Sequence, residues 1–450
     1  MQDAIEAFAD HVINTESKDI ADEAWLAAKT YILDTFGVGL AGSTGPYVRE
    51  LLNAYPTGGP SRVLGQKGGF APADAALLNG YQIHNSEFDC VHEKAVIHTM
   101  TVLMSVLLAE ADRRGGVDGK NLIRASILGV DVACNLGVAC TTGLQFFRPA
   151  TAGTFAAIAA MGAVRRYDKD TLLRAFALGY SQLCGTMQAH TEGSPILALQ
   201  IGLNARNAVT ACDLAEHGLP GLTGVLEGPF GFFGLFEKAG DIRSTLPTLG
   251  KTWRIAEVAH KPFPSGRATH GIVDAIQELQ RENEIDAAAI VKVEARVPSL
   301  TNHLIGRPVH DAMEINYARL NGQYAASVML SRGFVGIDDF TIEAVREPAR
   351  VALASKVVIS VNENPDPNAL SPVDVDIHMA DGTVHSKMIE TVYGNPAKPM
   401  TKDAHLTKFR RNWAAAACGL KDVDAEVMIN RVGTLETVPD IRELIDLATG

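Results

Sequence analysis

The chain has 450 residues, of which 47% are hydrophobic and 20% charged, and its formal net charge is −12. A chain of this length exceeds one simple hydrophobic core, so we expect two domains. The negative charge argues against nucleic acid and anionic membranes as partners, because both attract basic surfaces. It does not exclude an anionic small substrate, since cations can be concentrated locally.

The first residues and the cysteines predict a cytoplasmic protein. The opening "MQDAIEAFADHVI" is acidic and lacks the basic segment that begins a secretory signal peptide. The six cysteines form no CxxC pair and no regular framework, which is typical of reduced core thiols. Charge-free runs such as 175–191 are broken by polar residues and are shorter than the ~20 apolar residues that span a bilayer.

The first half of the chain is predicted to be helical. Apolar residues recur at three- and four-residue spacing over 25–40, and Pro72 begins a second such segment that ends near His84. A third helix is predicted from Thr101 to the basic residues before a Gly-Gly pair. The later segments of this half are uniformly apolar and rich in Ala, Gly and Ser, which is typical of closely packed, buried helices.

The pattern changes after about residue 257. The stretch "IVKVEARV" (290–297) alternates strictly, "SKVVISV" and "VDVDIHMADGTVHSKMIETV" follow in the same way, and the "ADG" predicts a hairpin turn. Helices are predicted over 270–282 and 323–331, and "TKDAHLTKFRRNWAAAA" restores helix near the end. The predicted fold class is mainly α: a discontinuous all-α helical domain (1–256 and 394–450) with a smaller inserted α+β lid domain (257–393).

One polar stretch interrupts the helical half. "HNSEFDCVHEKAVIHTM" (84–100) gathers three histidines and three carboxylates with a thiol and a lysine. It is open to three interpretations: a metal site, an acid–base site, or a hydrogen-bonded connecting loop. The helical spacings typical of metal sites are missing, whereas a carboxylate beside an imidazole fixes its tautomer and tunes its pKa toward neutrality. We favour the acid–base interpretation and predict no metal.

Three further stretches carry candidate residues. In "HKPFPSGRATHGIVDAI", Lys261, Arg267 and His270 suit a carboxylate-bearing substrate, although a capped helix start with solvated basic groups fits equally well. Arg148 and Arg206 lie among small residues and must find an anionic partner, either a protein carboxylate or a ligand. The glycine-rich "GLTGVLEGPFGFFG" lacks a phosphate-binding pattern and is interpreted as turns.

Taken in order, these stretches resemble the MmgE/PrpD family over essentially the whole chain. The matching segments are "NGYQIHNSEFDCVHEKAVIHTM", "ATAGTFAAIAAMGA", "GLNARNAVTACDLAEHG", "LEGPFGFF", "KPFPSGRATHGIVDAI", "GQYAASVMLSRG" and "GNPAKPMTKDAHLTKF". The resemblance implies a helical domain built from both chain ends, a lid, and a homodimer. It also implies a cofactor-independent site at the domain junction that acts on small di- or tricarboxylates.

The resemblance assigns candidate site residues. The candidate catalytic residues are Asp89, His92, His98, Lys261, His270 and Tyr324. The candidate substrate-binding residues, which the nearby cations and polar groups suggest, are Glu87, Lys94, Arg148, Arg206, Arg267 and Gln323. In this hypothesis His98 or His92 is the base, held by Asp89. Lys261, Arg267 and Arg148 clamp the carboxylates. Tyr324 or His270 is the acid, although Tyr324 is also typical of a core aromatic.

Several positions depart from the family pattern. Glu87 stands for an aspartate, Cys90 and Val91 replace an aspartate and a threonine, and Thr99 replaces a proline. Phe147 stands where some members carry a histidine, and Leu197 near an expected lysine.

We therefore predict a lyase of the dehydratase type (a hydro-lyase) that abstracts a proton next to a carboxylate. The first alternative is an isomerase or epimerase of a dicarboxylate, and the second is a decarboxylase or a non-catalytic carboxylate binder.

Overall fold

The structure, a computed structural model, describes residues 3–449 and is mainly helical. The α-helices before residue 257 are Ile5–Asn14, Asp22–Gly42, Val48–Ala54, Pro72–His84, Thr101–Arg114, Gly119–Val138, Arg148–Arg165, Lys169–Tyr180, Gln188–Glu192, Ile196–Glu216, Phe232–Leu235 and Ile242–Thr245. Those after it are His270–Glu282, Ser299–Ile305, Ile315–Arg319, Gly322–Arg332, Ile342–Val345, Pro348–Ala354, Lys402–Ala414, Asp422–Gly433 and Arg442–Thr449.

Four strands form the main sheet. They are Ile290–Val297, Val357–Val361, Val373–Met379 and Val384–Ile389. Ile290–Val297 lies between Val357–Val361, with which it is parallel, and Val373–Met379, with which it is antiparallel. Val384–Ile389 completes the sheet by pairing antiparallel with Val373–Met379, and these two strands form the predicted hairpin. The predicted class, mainly α with a small α+β region, is confirmed.

A second, short sheet was not predicted. Thr57–Arg62 pairs with Gly69–Phe70, and the first of these reads "TGGPSR". Glycine and proline are depleted in strands, and the segment has no alternating pattern, so the sequence carried no strand signal here.

The buried apolar side chains form two main clusters. One runs from Ala4 to Val258 and includes the carboxy-terminal helices from Phe409 onward. The other comprises residues between Phe263 and Val392 and packs the main sheet against the helices His270–Glu282 and Gly322–Arg332. The domain boundaries 1–256, 257–393 and 394–450 stay a prediction, as do the homodimer and the cytoplasmic location.

Small residues set the position of the helix that leads into the site. A side chain on Gly202 would meet the carbonyl oxygen of Leu77 at 2.4 Å, and one on Gly80 would meet the backbone of Gly202 at 3.1 Å. Helices Pro72–His84 and Ile196–Glu216 therefore pack with their backbones almost in contact. This close packing fixes His84 at the end of its helix.

Helix Gly119–Val138 is long and apolar enough to cross a membrane, but 83% of its most apolar window is buried inside the protein. Helices that are apolar all round are also the core helices of large folds. We describe it as a core helix of the first cluster.

Candidate active site

The centre of the candidate site is a carboxylate between two imidazoles. Asp89 Oδ2 lies 3.1 Å from Nδ1 of His84 and 2.9 Å from Nδ1 of His98. Thr101, the first residue of helix Thr101–Arg114, donates its hydroxyl to the same oxygen at 2.5 Å. All three side chains around Asp89 are almost fully buried, so the carboxylate is held by its neighbours rather than by solvent.

The loop that carries Asp89 is tied to the segment that carries Lys261. Val91 and Ala259 exchange backbone hydrogen bonds of 3.0 and 2.8 Å. Glu87 adopts a left-handed backbone conformation with φ of 51°, which non-glycine residues rarely adopt and which often marks functional loops. The two segments are far apart in sequence, and this pairing brings their side chains together.

Lys261 and Glu87 form a buried ion pair beside this centre. Lys261 Nζ donates to Glu87 Oε2 at 2.7 Å and to the Glu87 carbonyl at 3.1 Å. The ammonium is also 3.9 Å from Asp89 Oδ1, and Glu87 Oε1 is 3.4 Å from Nε2 of His84. The result is one connected cluster of two carboxylates, two imidazoles and an ammonium.

The surroundings shift the pKa values of the two imidazoles in opposite directions. Burial alone would lower the pKa of His84, but Asp89 and Glu87 outweigh it and the pKa is raised. For His98, burial outweighs Asp89, and Lys261 adds to it, so the pKa is lowered. His98 is therefore the neutral imidazole at pH 7. Its Nδ1 faces Asp89 Oδ2 at 2.9 Å, which leaves Nε2 as the atom that can accept or deliver a proton.

The two carboxylates are firmly ionised. Burial opposes the charge on Asp89, but His98 and His84 hold its pKa well below the usual range. Burial also opposes the charge on Glu87, and Lys261 with the two histidines lowers its pKa to about 2. Separated pKa values of this kind are typical of sites that transfer protons.

A cavity opens beside this cluster. Its volume is about 60 Å³, and its polar lining residues are Glu87, His98, His190 and Arg267. The rest of the lining is apolar and includes Val96, Phe147, Met187, Leu304, Leu320 and Leu370. Such a lining excludes water and strengthens the electrostatic effect of the few polar groups.

Three predicted site residues lie away from the cavity. His92 accepts from the Ala95 backbone and faces Glu257 at 2.9 Å, so it braces the loop. Lys94 is exposed to solvent. The Arg206 side chain is 45% exposed and faces Asp74 and the Tyr55 ring.

Arg148, a predicted substrate clamp, has a protein partner. Its guanidinium donates twice to Glu237, at 3.0 and 2.7 Å, and once to the Ala95 carbonyl at 3.1 Å. Both charged side chains are fully buried. Because the bidentate pair occupies one edge of the guanidinium, Arg148 supports the 92–97 loop, and it is absent from the cavity lining.

Arg267 and His270 are also held by protein groups. Arg267 donates to Glu93 at 2.7 Å and to the carbonyls of His260, Val392 and Tyr393. His270 places Nε2 3.1 Å from the Ser265 carbonyl, and burial with the charges of Arg267 and Lys261 puts its pKa well below the usual range. Arg267 still lines the cavity, whereas His270 does not.

The structure does not bring Tyr324 to the cavity. Its hydroxyl donates to the Asp339 carbonyl at 2.5 Å, and its ring packs on Phe340 inside the second core cluster. The neighbouring Gln323 is partly buried and is likewise absent from the cavity lining. The hypothesis that Tyr324 or His270 is the acid stays a prediction; in this structure protein carbonyls hold both polar groups, and neither residue lines the cavity.

Four residues of the site were missed by the sequence hypothesis. His84 opens the polar stretch, and that position was the one available signal for it. His190 lines the cavity, Arg307 Nη2 lies 3.4 Å from its Nδ1, and Arg319 donates to the Asn85 carbonyl beside the cluster. These three have no motif of their own, and only the fold brings them near Asp89.

Among residues 3–449, two groups of side chains have donors spaced closely enough to hold a metal ion. They are His84, Asp89 and His98, and, behind the site, Asp34, His260 and His405. A cation already accompanies each group: Lys261 Nζ is 3.9 Å from Asp89, and Lys408 Nζ is 2.8 Å from Asp34. These ammonium groups oppose a second cation electrostatically, and the expected absence of a metal stays a prediction.

The fold and this cluster define a helical protein with a buried site equipped for proton transfer. The chain belongs to the MmgE/PrpD family: residues 6–245 match the MmgE/PrpD N-terminal domain and residues 263–428 the MmgE/PrpD C-terminal domain. It is 27% identical to a cis-aconitate decarboxylase-like protein of Aspergillus oryzae, over 98% of this chain and 96% of the relative. It is also 27% identical to human cis-aconitate decarboxylase, over 99% and 94% of the two chains. Cis-aconitate decarboxylase of Aspergillus terreus is 26% identical, over 96% and 93%.

Proposed function

We propose that this chain is a lyase that acts on a small tricarboxylate by proton transfer at a carbon next to a carboxylate, and that its reaction is decarboxylation of a cis-aconitate-like substrate. The observation that carries the proposal is the position of His98 on the wall of a mostly apolar cavity, with its Nδ1 2.9 Å from Asp89 Oδ2. The names of the curated relatives support the same class of reaction.

Binding of the substrate prepares His98 for its role. A polycarboxylate anion near a neutral imidazole favours the imidazolium, so His98 takes up a proton from solvent when the substrate binds. Asp89 stabilises the imidazolium, since its own charge is held firmly by both histidines. The carboxylate thus acts on the proton-transfer group in both of its charge states.

The bond changes balance without an added reagent. The carbon–carbon bond to one carboxylate breaks and neutral carbon dioxide leaves. The electron pair moves through the adjacent carbon–carbon double bond to its far carbon, which takes the proton of His98. The product is an unsaturated dicarboxylate. The negative charge that spreads during the step onto the carboxylate of the protonated carbon is stabilised by the field of Lys261, a buried ammonium paired with the cavity residue Glu87.

The placement of the predicted acids favours decarboxylation over dehydration. Loss of water requires an acid that protonates a leaving hydroxyl, and neither Tyr324 nor His270 lines the cavity. Loss of carbon dioxide requires no such group. The apolar side chains around Phe147 and Leu304 favour the conversion of a charged carboxylate into a neutral product.

A second candidate function is epimerisation of a dicarboxylate. Two imidazoles, His98 and His190, line the same cavity, and an epimerase needs a proton-transfer group on each face of the reacting carbon. Burial and the Arg307 charge lower the pKa of His190 to about 3, so it would have to act first as the base.

Proton NMR in deuterated water distinguishes the reactions. With cis-aconitate we expect carbon dioxide release and one deuterium in the product, and no reaction in a His98→Asn variant. A new olefinic signal from a hydroxy-tricarboxylate without carbon dioxide would mark a hydro-lyase, and solvent exchange without net change an epimerase. Silence across a panel of di- and tricarboxylates would overturn the enzyme proposal and leave a carboxylate binder.

A further inference from the structure

Arg307 is a cation for which residues 3–449 provide no carboxylate partner. It donates to the Leu304 carbonyl at 3.0 Å and lies over the Tyr317 ring at 5.1 Å, and its buried Nη1 has no hydrogen-bond partner within residues 3–449. Asn321 holds the segment by donating to the Arg307 carbonyl at 3.0 Å. One nitrogen of the Arg307 guanidinium is therefore held in place without a hydrogen-bond partner among the described residues.

Arg319 is in the same condition and is more deeply buried. It is 3% exposed, and one nitrogen donates to the Asn85 carbonyl, while its Nε has no partner in the described part of the chain. Gly266, a residue of the cavity wall, donates its backbone N–H to the Arg319 carbonyl at 2.9 Å. This contact ties Arg319 to the cavity through the backbone.

Other buried arginines of this fold each have a carboxylate partner. Arg148, Arg165 and Arg267 each contact a carboxylate at 2.7 Å. Between residues 3 and 449, no ion pair reaches Arg307 or Arg319. A guanidinium stays charged at pH 7 even when buried, and a buried charge without a counter-ion is costly.

Both arginines stand near the reacting cluster. Burial lowers the pKa of each, to about 10 for Arg319, and the charge of Glu87 partly offsets this in both. Glu87 cannot neutralise them, because Lys261 already binds it at 2.7 Å. A Cβ added to Gly193 would clash with the Tyr317 Cα at 2.5 Å, so the segment after His190 packs directly against Tyr317, the ring over which Arg307 lies.

We propose that Arg307 and Arg319, with His190, form a receptor for a substrate carboxylate that lies away from the reacting carbon. The proposal deepens the proposed function, on which it rests for the class of ligand. A guanidinium can donate two parallel hydrogen bonds to one carboxylate. Because Arg307 contacts Nδ1 of His190, the Nε2–H group of that ring is a further donor. The receptor selects substrates with at least two carboxylates and favours those with three.

Binding of an unreactive probe tests the receptor separately from turnover. Propane-1,2,3-tricarboxylate has no double bond to accept the electrons of decarboxylation, and glutarate is the matched probe with one carboxylate fewer. Calorimetric titration of the full chain with each probe should show that Arg307→Gln weakens tricarboxylate binding by about tenfold to a hundredfold, with a smaller effect on glutarate. Arg307→Lys, which keeps the charge without the fork, should recover part of the loss.

Arg49→Gln is the matched control, since Arg49 is exposed and is absent from the cavity lining. Equal affinities in Arg307→Gln and Arg49→Gln would overturn the receptor while leaving the proposed reaction intact if wild-type turnover persists. Variant-dependent binding without turnover of any substrate would support the receptor and overturn the proposed function. A wild-type chain that binds neither probe would overturn both.

Discussion

Replacing Lys261 with methionine removes the ammonium from the reacting cluster and leaves a methylene chain of similar length. The Lys261 side chain is fully buried, and its Nζ lies 2.7 Å from Glu87 Oε2. Two effects should follow: a large loss of turnover, because the cation that stabilises the developing charge is gone, and a loss of stability that depends on pH.

The structure sets the size of the stability effect. The surroundings lower the Glu87 pKa from 4.5 to about 2, which corresponds to about 3 kcal/mol of folding free energy. Because the folded-state pKa is the lower one, this stabilisation is complete above about pH 4.5 and is lost as the pH falls toward 2. Without Lys261, burial dominates and favours the protonated carboxyl, so the variant should be destabilised most at neutral pH.

Urea unfolding followed by circular dichroism measures this. We expect Lys261→Met to lose about 3 kcal/mol at neutral pH, with a smaller difference from wild type in acid. Adding Glu87→Gln to Lys261→Met should recover most of the loss, since no charge then remains unpaired. Lys94→Met, at an exposed lysine, is the control for the substitution itself. A stability difference that does not change with pH, or a double variant as unstable as the single one, would refute this reasoning, and near-normal turnover of Lys261→Met would refute the catalytic role.

Three further predictions concern the neighbouring residues. His98→Asn should lower kcat by about a hundredfold to ten-thousandfold with a small change in KM. Because the imidazolium delivers the proton and the His98 pKa is lowered from 6.5, kcat/KM of the wild-type enzyme should fall as the pH rises and should already be falling at pH 6.5; a kcat/KM that stays constant to above pH 6.5 before it falls would contradict the assignment. Tyr324→Phe should leave kcat within about threefold of wild type while reducing stability by about 1 kcal/mol, because the hydroxyl donates to the Asp339 carbonyl inside the second core cluster. A large loss of kcat in steady-state assays would instead indicate that Tyr324 takes part in the reaction. Arg148→Gln should cost about 3 to 5 kcal/mol of stability by leaving Glu237 buried without its partner, and Glu237→Gln in the same chain should restore most of it in urea unfolding; failure of that rescue would mean that the pair acts otherwise.

The regular elements were predictable because each has a strong local signal. The strict alternation of 290–297 matches the strand Ile290–Val297, and the periodic run 25–40 lies within the helix Asp22–Gly42. Pro72 begins its helix as predicted, and Lys402–Ala414 restores helix near the end. These patterns depend on residues within a few positions of one another, so they can be recognised in the sequence alone.

The candidate site was predictable only where its members share one stretch. Asp89 and His98 lie nine positions apart, and titratable groups concentrated in an apolar region were a sufficient signal. Lys261 came from the family resemblance, whereas Arg307 and Arg319 had no pattern of their own. Their relevance follows from burial without an acidic partner, which a sequence does not record.

The sequence by itself determined the class of fold, the family and the polar stretch that carries Asp89 and His98, because periodicity and local composition encode them. Only the tertiary structure decided which charged groups are already neutralised inside the protein. Arg148 is bound to Glu237 and Tyr324 to the Asp339 carbonyl, while His84 and His190 stand at the cluster and the cavity. The physical reason is that the partner of a buried polar group is set by which segments the fold brings together, as in the pairing of Val91 with Ala259. Contacts of this kind do not depend on how far apart two residues are along the chain.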